Sequence, residues 1–174
     1  RNNPGGYLEE GLRVAEVLVP EGVLVQVVDR NGRRTTVSGA PHPPGPPLVV
    51  LVNRGTASAA EIVAGAVQDH RAGTVVGTRT FGKGSVQTVY ELPTQGAVRL
   101  TTARYLTPSG RSLEGEGLVP DVVVEETDPG YEMPRFADPG QRPLRRGTNC
   151  AEILQHLTES VKSAQLVIRL ILSV

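Results

Sequence analysis

Cysteine and lysine are scarce in this chain of 174 residues, and each shortage limits what the protein can be. A single cysteine, Cys150, excludes an internal disulfide framework. The three histidines, at positions 42, 70 and 156, have no metal-ligand spacing, so we expect no metal site and no cofactor. Lys83 and Lys162 are the only lysines in an arginine-rich chain, and a lysine amine can lose its proton where arginine cannot.

Net charge and long apolar runs are also missing. Lys plus Arg and Asp plus Glu both total 18, so the chain has no overall field that would attract nucleic acid or an anionic membrane. The most apolar stretch, Ala164–Val174, is too short to span a bilayer and contains Arg169. We therefore predict no nucleic-acid partner and no stable membrane insertion, and the sequence shows no secretory signal.

What remains is a turn-rich globular composition. Hydrophobic residues make up 39% of the chain, alongside 20 glycines and 14 prolines, and the aromatic residues are limited to four tyrosines and two phenylalanines. This composition favours an α/β fold packed with valine, leucine and alanine, and the length suffices for one sizeable core. Because the chain begins at Arg1 without a methionine, we expect a fragment of a longer protein.

Hydrophobic periodicity and turn residues predict an ordered series of elements. Apolar residues at helical spacing predict helices over 8–18 and 58–70. Short apolar or alternating runs predict strands over 23–28, 34–37, 48–52, 74–76, 86–92, 98–105 and 119–124. Hairpin turns are predicted at Asn31-Gly32 and around Thr94-Gln-Gly96, and the run 48–52 is typical of a strand buried on both faces. A polar segment over 125–147 precedes an amphipathic helix marked by residues 153–168.

Ser58 opens the strongest predicted helix, directly after a predicted strand and turn. Glu61 follows three residues later, which is the signature of a capping box and by itself predicts only a helix cap. A serine in this place also lies beside backbone N–H groups and the positive end of the helix dipole, which could hold an alkoxide or an oxyanion. The G-x-S-x-G motif is absent, because Thr56 and Ala60 take the glycine positions, and His70 is roughly 18 Å further along the helix.

Lys83 lies between two glycines, in a segment one residue short of a phosphate-binding P-loop. Gly84 replaces the hydroxyl residue that would bind magnesium, and a strand rather than a helix is predicted next, which disfavours nucleotide binding. A Gly-Lys-Gly sequence is usually a solvated turn. To act as a base for Ser58, Lys83 must be partly buried, and Gln87 could accept a hydrogen bond from its amine and orient it.

Several motifs in a fixed order resemble the carboxyl-terminal processing proteases, also called tail-specific proteases. The motifs are Arg1–Gly6 with the helix that follows, Asn53–Ala66, Gly77–Val89, Leu100–Ser112 and Gly115–Asp121. Together they cover about residues 1–124. Because several separate motifs agree, the resemblance is more specific than any one of them.

The resemblance implies a serine endopeptidase that uses a Ser-Lys pair assisted by glutamine. Carried over position by position, Ser58 is the nucleophile, Lys83 the general base and Gln87 the residue that orients the lysine. The implied substrate is a protein or peptide with an apolar carboxyl terminus, bound in an extended form along a sheet edge.

The same resemblance implies an oxyanion hole made of backbone N–H groups, here those of Ala59 and of Gly5 or Gly6. Asp69 is an acidic residue that some relatives also carry, and its role is open. Members of the family generally work in the cell envelope, the periplasm or an equivalent lumen, so we expect an extracytoplasmic location. Assembly into a homo-oligomer is compatible with these features.

The expected fold is α/β, with a ββα-type core resembling the ClpP/crotonase-like fold and a C-terminal helix. Residues 1–127 would form the catalytic core, truncated on its N-terminal side and without the PDZ domain that family members usually carry. Residues 128–174 would form a polar linker and an amphipathic helix without an assigned role.

Three other interpretations stay open. The same fold could be an inactive module that binds peptides, which a serine-reactive probe would distinguish from a protease. A crotonase-like acyl-CoA enzyme predicts binding of CoA thioesters, which none of the motifs supports. A nucleotide-binding protein predicts binding of Mg-ATP at Lys83.

Overall fold

The computed structural model of the chain describes residues 1–93 and 96–124. Its elements, in chain order, are α1 Leu8–Leu18, β1 Gly22–Asp29, β2 Arg34–Gly39, β3 Val49–Val52, α2 Ala59–Asp69, β4 Thr74–Gly77, β5 Ser85–Glu91, β6 Ala97–Leu106 and β7 Val122–Val123. These elements confirm the helices and strands predicted for this part of the chain. The polar segment predicted from residue 125 and the helix predicted over 153–168 lie outside the described residues.

The strands form two sheets of opposite type. Strands β2, β1, β6 and β5 lie in that order in an antiparallel sheet, and β3, β4 and β7 lie in that order in a parallel sheet. Both predicted hairpins belong to the antiparallel sheet. At the first hairpin Gly32 has a φ of 81° and donates its N–H to the Asp29 carbonyl at 3.0 Å, which is the left-handed turn that Asn31-Gly32 predicts. The mixed α/β class is therefore confirmed.

Helix α2 packs against elements of both sheets and against α1. Its Ile62 belongs to a buried cluster that includes Val25 of β1 and Val75 of β4. A second buried cluster joins α2 to α1 and β1, and its members are Ala15, Val19, Leu24, Ala66 and Val67. Small residues allow the two helices to approach closely, because a Cβ added at Gly11 would lie 3.1 Å from the Cβ of Ala59. The start of α2 is thus held in place by the core.

Strand β3 is less buried than its apolar sequence predicts. Only Val52 is buried, and residues 49–51 remain half-buried, because β3 is the edge strand of the parallel sheet. The central strand β4 has the burial expected of β3, with Val75 and Val76 fully covered. Strand β7 is also shorter than the predicted 119–124.

Candidate active site

A tight turn carries the chain from the carboxyl end of β3 to the start of α2. The buried Asn53 side chain accepts the N–H groups of Asn2 at 2.9 Å and Gly55 at 3.0 Å, and its amide donates to the Asn2 side chain at 2.7 Å. The Thr56 N–H donates to the Asn53 carbonyl at 2.8 Å. Asparagine favours such turns because its side chain takes the place of backbone partners. The turn presents Ser58 at the end of a strand, as the sequence predicts.

Ser58 has a backbone conformation that residues other than glycine rarely adopt. Its φ is 56° and its ψ is −123°, at the position just before the first residue of α2. Such a conformation costs about 1–3 kcal/mol and is concentrated at functional sites. The nucleophile elbow of the α/β-hydrolases is a similarly strained strand-to-helix turn, although its G-x-S-x-G motif is missing here. Ser58 is only partly buried.

The N-terminal turn packs directly against Ser58. Gly5 has a φ of 91°, and a Cβ added there would lie 2.6 Å from the Ala57 carbonyl oxygen and 2.9 Å from the Ala59 nitrogen. The Gly5 N–H donates to the Asn3 side chain at 2.9 Å. Gly6 is exposed, and a Cβ there would meet nothing within 4 Å. Of the predicted oxyanion residues, Gly5 therefore lies against Ala59, and Gly6 faces open space.

The loop between β4 and β5 brings Lys83 to the same region. Phe81 donates its N–H to the Thr56 carbonyl at 2.9 Å, two residues before Ser58. Gly82 has a φ of 91°, and a Cβ added there would lie 2.8 Å from the Gly117 nitrogen, so the close backbone approach predicted for this glycine is confirmed. Lys83 is half-buried. The segment that follows it is strand β5 and not a helix, which agrees with the prediction that this loop is not a P-loop.

A buried carboxylate links the two loops. Glu61 is fully buried, and its Oε2 accepts the N–H of Ser58 at 2.8 Å and the N–H of Lys83 at 2.8 Å. Its Oε1 accepts the N–H of Gly82 at 2.8 Å and the hydroxyl of Thr80 at 2.5 Å. The sequence predicted only the bond to Ser58, as part of a capping box. The contacts to residues 80–83 carry no local sequence signal.

Gln87 lies at the start of β5, on the exposed surface. Its Oε1 accepts from Nη1 of Arg99 at 3.5 Å, which is at the outer limit of a hydrogen bond. The pairing of β5 with β6 is irregular between Val86 and Gln87, where Val86 pairs with Ala103 and Gln87 with Thr101. Its contact with the Lys83 amine stays a prediction.

Asp69 and His70 lie at the far end of α2, roughly 16 Å and 18 Å from Ser58 at the helical rise. Asp69 accepts the N–H of Ser109 at 2.8 Å and forms an ion pair with Arg111. Burial raises the pKa of the Asp69 carboxyl, but hydrogen bonds from Thr107, Ser109 and Arg111 outweigh it, and the pKa lies below its usual range. His70 follows the last residue of α2, and its Nε2 lies 2.6 Å from the Val23 carbonyl oxygen. It holds α2 against β1, which confirms a helix-end position.

Within residues 1–93 and 96–124, no group of three or more His, Cys, Asp or Glu side chains could hold a metal ion. No helix in the same residues is long and apolar enough to cross a membrane.

A sequence profile described as Peptidase family S41 matches residues 1–124. The chain belongs to peptidase family S41. The match ends with β7, so the whole described part of the chain lies in the S41 region. The family resemblance stated from the motifs is confirmed.

Relatives of this S41 chain support the same assignment. It is 46% identical over 140 residues to a carboxy-terminal-processing protease from Bartonella bacilliformis, which covers 76% of this chain and 32% of the relative. It is 47% identical over 127 residues to a chloroplastic C-terminal processing peptidase from Tetradesmus obliquus, which covers 72% of this chain and 27% of the relative.

A solved structure, the photosystem II D1 C-terminal processing protease, is 46% identical to this chain. It superimposes with a TM-score of 0.68 over 72% of this chain and 33% of that protein. The S41 chain thus spans about a third of the length of the relatives it matches.

Proposed function

We propose that this chain carries the catalytic site of a serine endopeptidase of the carboxyl-terminal processing type, with Ser58 as nucleophile and Lys83 as general base. The observation that carries the proposal is the strained backbone of Ser58 at the start of α2, with the Lys83 loop bonded to the same carboxylate. Family membership supports the reaction class, since the relatives are named as carboxyl-terminal processing proteases.

In this mechanism the neutral amine of Lys83 takes the proton of the Ser58 hydroxyl as the oxygen attacks the peptide carbonyl carbon. The tetrahedral intermediate collapses to an acyl-enzyme, and the lysine returns the proton to the departing amine. Water then hydrolyses the ester with Lys83 again as base. Lys83 is half-buried, and Gln87 would orient its amine through the side-chain amide oxygen.

The oxyanion would be stabilised by the N–H of Ala59, which lies in the first turn of α2, together with an N–H of the N-terminal turn. Helix-terminal N–H groups of this kind have no partner within their own helix. Of the two glycines, Gly6 is the better candidate, because the N–H of Gly5 already donates to Asn3. Losing one donor of an oxyanion hole typically lowers the rate by roughly a hundred- to a thousand-fold.

The substrate class is an unfolded or extended protein or peptide with an apolar carboxyl terminus. Strand β5 supports an extended binding mode, because it begins two residues after Lys83 and forms one edge of the antiparallel sheet. We further propose an extracytoplasmic or lumenal location, assembly as a homo-oligomer and a ββα core of the ClpP/crotonase type. One relative is named as chloroplastic, which is why the proposed location includes a lumen besides the periplasm.

The test is cleavage of an unstructured protein with an apolar carboxyl terminus by the chain and by its Ser58→Ala and Lys83→Ala variants. Circular dichroism and thermal unfolding confirm that the variants are folded. Each substitution should lower the cleavage rate by about 10⁴- to 10⁶-fold, the range measured when members of a serine-protease triad are removed. Full cleavage by a folded variant would refute the assignment of that residue. Peptide binding by the unmodified chain without labelling by a serine-reactive probe would favour the inactive binding module.

A further inference from the structure

We propose that Glu61 is a positioning residue that fixes the distance between the backbones of Ser58, the nucleophile, and Lys83, the base. The inference rests on the proposed function, in which Ser58 attacks and Lys83 takes its proton. Glu61 acts through the backbone N–H groups of these two residues rather than on the reacting atoms. Its role would therefore be to align two loops that are distant in sequence.

A single atom makes the alignment. Oε2 of Glu61 accepts the N–H of Ser58 and the N–H of Lys83, each at 2.8 Å, so the two nitrogen atoms can be no farther apart than twice that distance. Proton transfer from a serine to a lysine requires both groups within hydrogen-bond reach, and a fixed backbone separation preorganises that encounter. Hydrogen bonds from N–H groups to a carboxylate are about twice as strong as neutral ones, which suits a permanent link.

The second oxygen extends the link along the Lys83 loop. Oε1 accepts from Gly82 and from the hydroxyl of Thr80, and that hydroxyl oxygen accepts the N–H of Leu118 at 2.6 Å. A glutamate that only completes a capping box needs a single partner, the N–H of the capping residue. Three further donors, all within residues 80–83, and complete burial are not required for capping. They point to a role between the two loops.

Glu61→Gln is the informative variant because it keeps the shape of the side chain and replaces one acceptor oxygen by an NH2 group. Each carboxylate oxygen of Glu61 accepts from two donors, so in the glutamine variant one of these two pairs faces an NH2 group that cannot accept from it. Glu114→Gln is a matched control, since Oε2 of Glu114 accepts the N–H of Gly84 at 2.7 Å, directly after Lys83. Glu114 is exposed and anchors the same loop through the same kind of bond, but its partner is Gly84 rather than Ser58.

The first readout is the second-order rate at which a fluorophosphonate probe labels Ser58, with the unfolding midpoint measured on the same samples. We expect folded Glu61→Gln to be labelled about ten- to a hundred-fold more slowly, and Glu114→Gln to change by less than about threefold. An equal loss in both variants would overturn the proposal, because loop anchoring alone would then explain it.

A double-mutant comparison separates alignment from simple stability. Lys83→Ala should slow labelling strongly in the unmodified chain but add little in the Glu61→Gln background, because the base is already out of line. If the effects of Glu61→Gln and Lys83→Ala multiply in full, Glu61 does not act through the pair and the proposal is wrong.

Amide hydrogen exchange tests the link without a variant and without activity. Because one oxygen atom holds both groups, the N–H groups of Ser58 and Lys83 should be protected to within about threefold of each other. Protection factors that differ by more than about tenfold would overturn the link, whether or not Glu61→Gln folds. If the probe never labels Ser58 in the unmodified chain, the proposed function is wrong. Equal protection of the Ser58 and Lys83 N–H groups in that chain would still support their link through Glu61.

Discussion

Ser58 and Lys83, which are 25 positions apart in the chain, donate their backbone N–H groups to the same oxygen atom of Glu61 at 2.8 Å each. This contact joins the first turn of α2 to the loop that follows β4. It also accounts for a fully buried glutamate, because four donors satisfy the acceptor sites of its carboxylate. The proposed chemistry thus depends on a helix cap that serves two loops.

Gly5→Ala is expected to destabilise the chain, because the position has no space for a side chain. Its φ is 91°, and a Cβ would lie 2.6 Å from the Ala57 carbonyl oxygen and 2.9 Å from the Cβ of Ser58. A left-handed backbone costs a side chain about 1–2 kcal/mol, and the overlap adds to that cost. Gly6→Ala is the control, since its Cβ would meet nothing within 4 Å. Urea unfolding of the two variants gives the comparison, and equal stability would contradict the close packing of Gly5 on Ser58.

The helices and hairpins could be predicted because their signals are local. Helix α1 covers Leu8–Leu18 as predicted, since the apolar spacing and the proline that follows are neighbours in the sequence. The Asn31-Gly32 turn has the same local character. Ser58 was identified as a helix cap for this reason too, although its strained φ depends on the packing of the surrounding turn.

The joining of Ser58 to Lys83 could not be predicted from spacing. Three of the four donors to the Glu61 carboxylate come from positions 19, 21 and 22 residues later, and no pattern in one sequence pairs such groups. The edge position of β3 was missed for a similar reason, because it depends on strand order rather than on the apolar run itself. The partnership of serine and lysine came from the family resemblance alone.

Lys83→Arg separates a base from a positive charge. Arginine keeps the charge but does not give up its proton at accessible pH, so it cannot accept the proton of Ser58. We expect Lys83→Arg to lose cleavage and probe labelling as fully as Lys83→Ala, on the order of 10⁴-fold or more. Labelling rates of both variants across the pH range from about 6 to 10 give the measurement. Substantial activity in Lys83→Arg would show that charge, not proton transfer, is what the site requires.

Asp69→Asn is expected to destabilise the chain at neutral pH and to have little effect in acid. The lowered pKa of Asp69 means that its stabilising contribution is present above the unfolded-state pKa of 3.8 and is lost as the pH falls through the folded value. Losing hydrogen bonds to the charged carboxylate should cost about 1–3 kcal/mol at pH 7. Denaturant unfolding at pH 7 and near pH 2.5 measures the difference between the two chains. A difference that does not change with pH would contradict this account.

His42 ties the proline-rich loop before β3 to the end of α1. Its N–H donates to the Pro20 carbonyl at 2.9 Å, and its ring nitrogens lie 2.8 Å from the Pro43 carbonyl and 2.7 Å from the Glu16 carbonyl. Both ring partners are acceptors, so only the protonated imidazole can donate to both. The Pro43 and Glu16 carbonyls accordingly raise the pKa of His42.

His42→Gln should therefore destabilise the chain in a pH-dependent way. A raised folded-state pKa gives stability that is fully present below the unfolded-state value of 6.5 and is lost as the pH rises through the folded value. The unfolding midpoint of His42→Gln should lie further below that of the unmodified chain at pH 5 than at pH 9, because glutamine cannot supply two ring donors at once. Thermal unfolding of both chains at the two pH values is the measurement. A gap that is equal at both, or larger at pH 9, would show that protonation of His42 does not hold this loop.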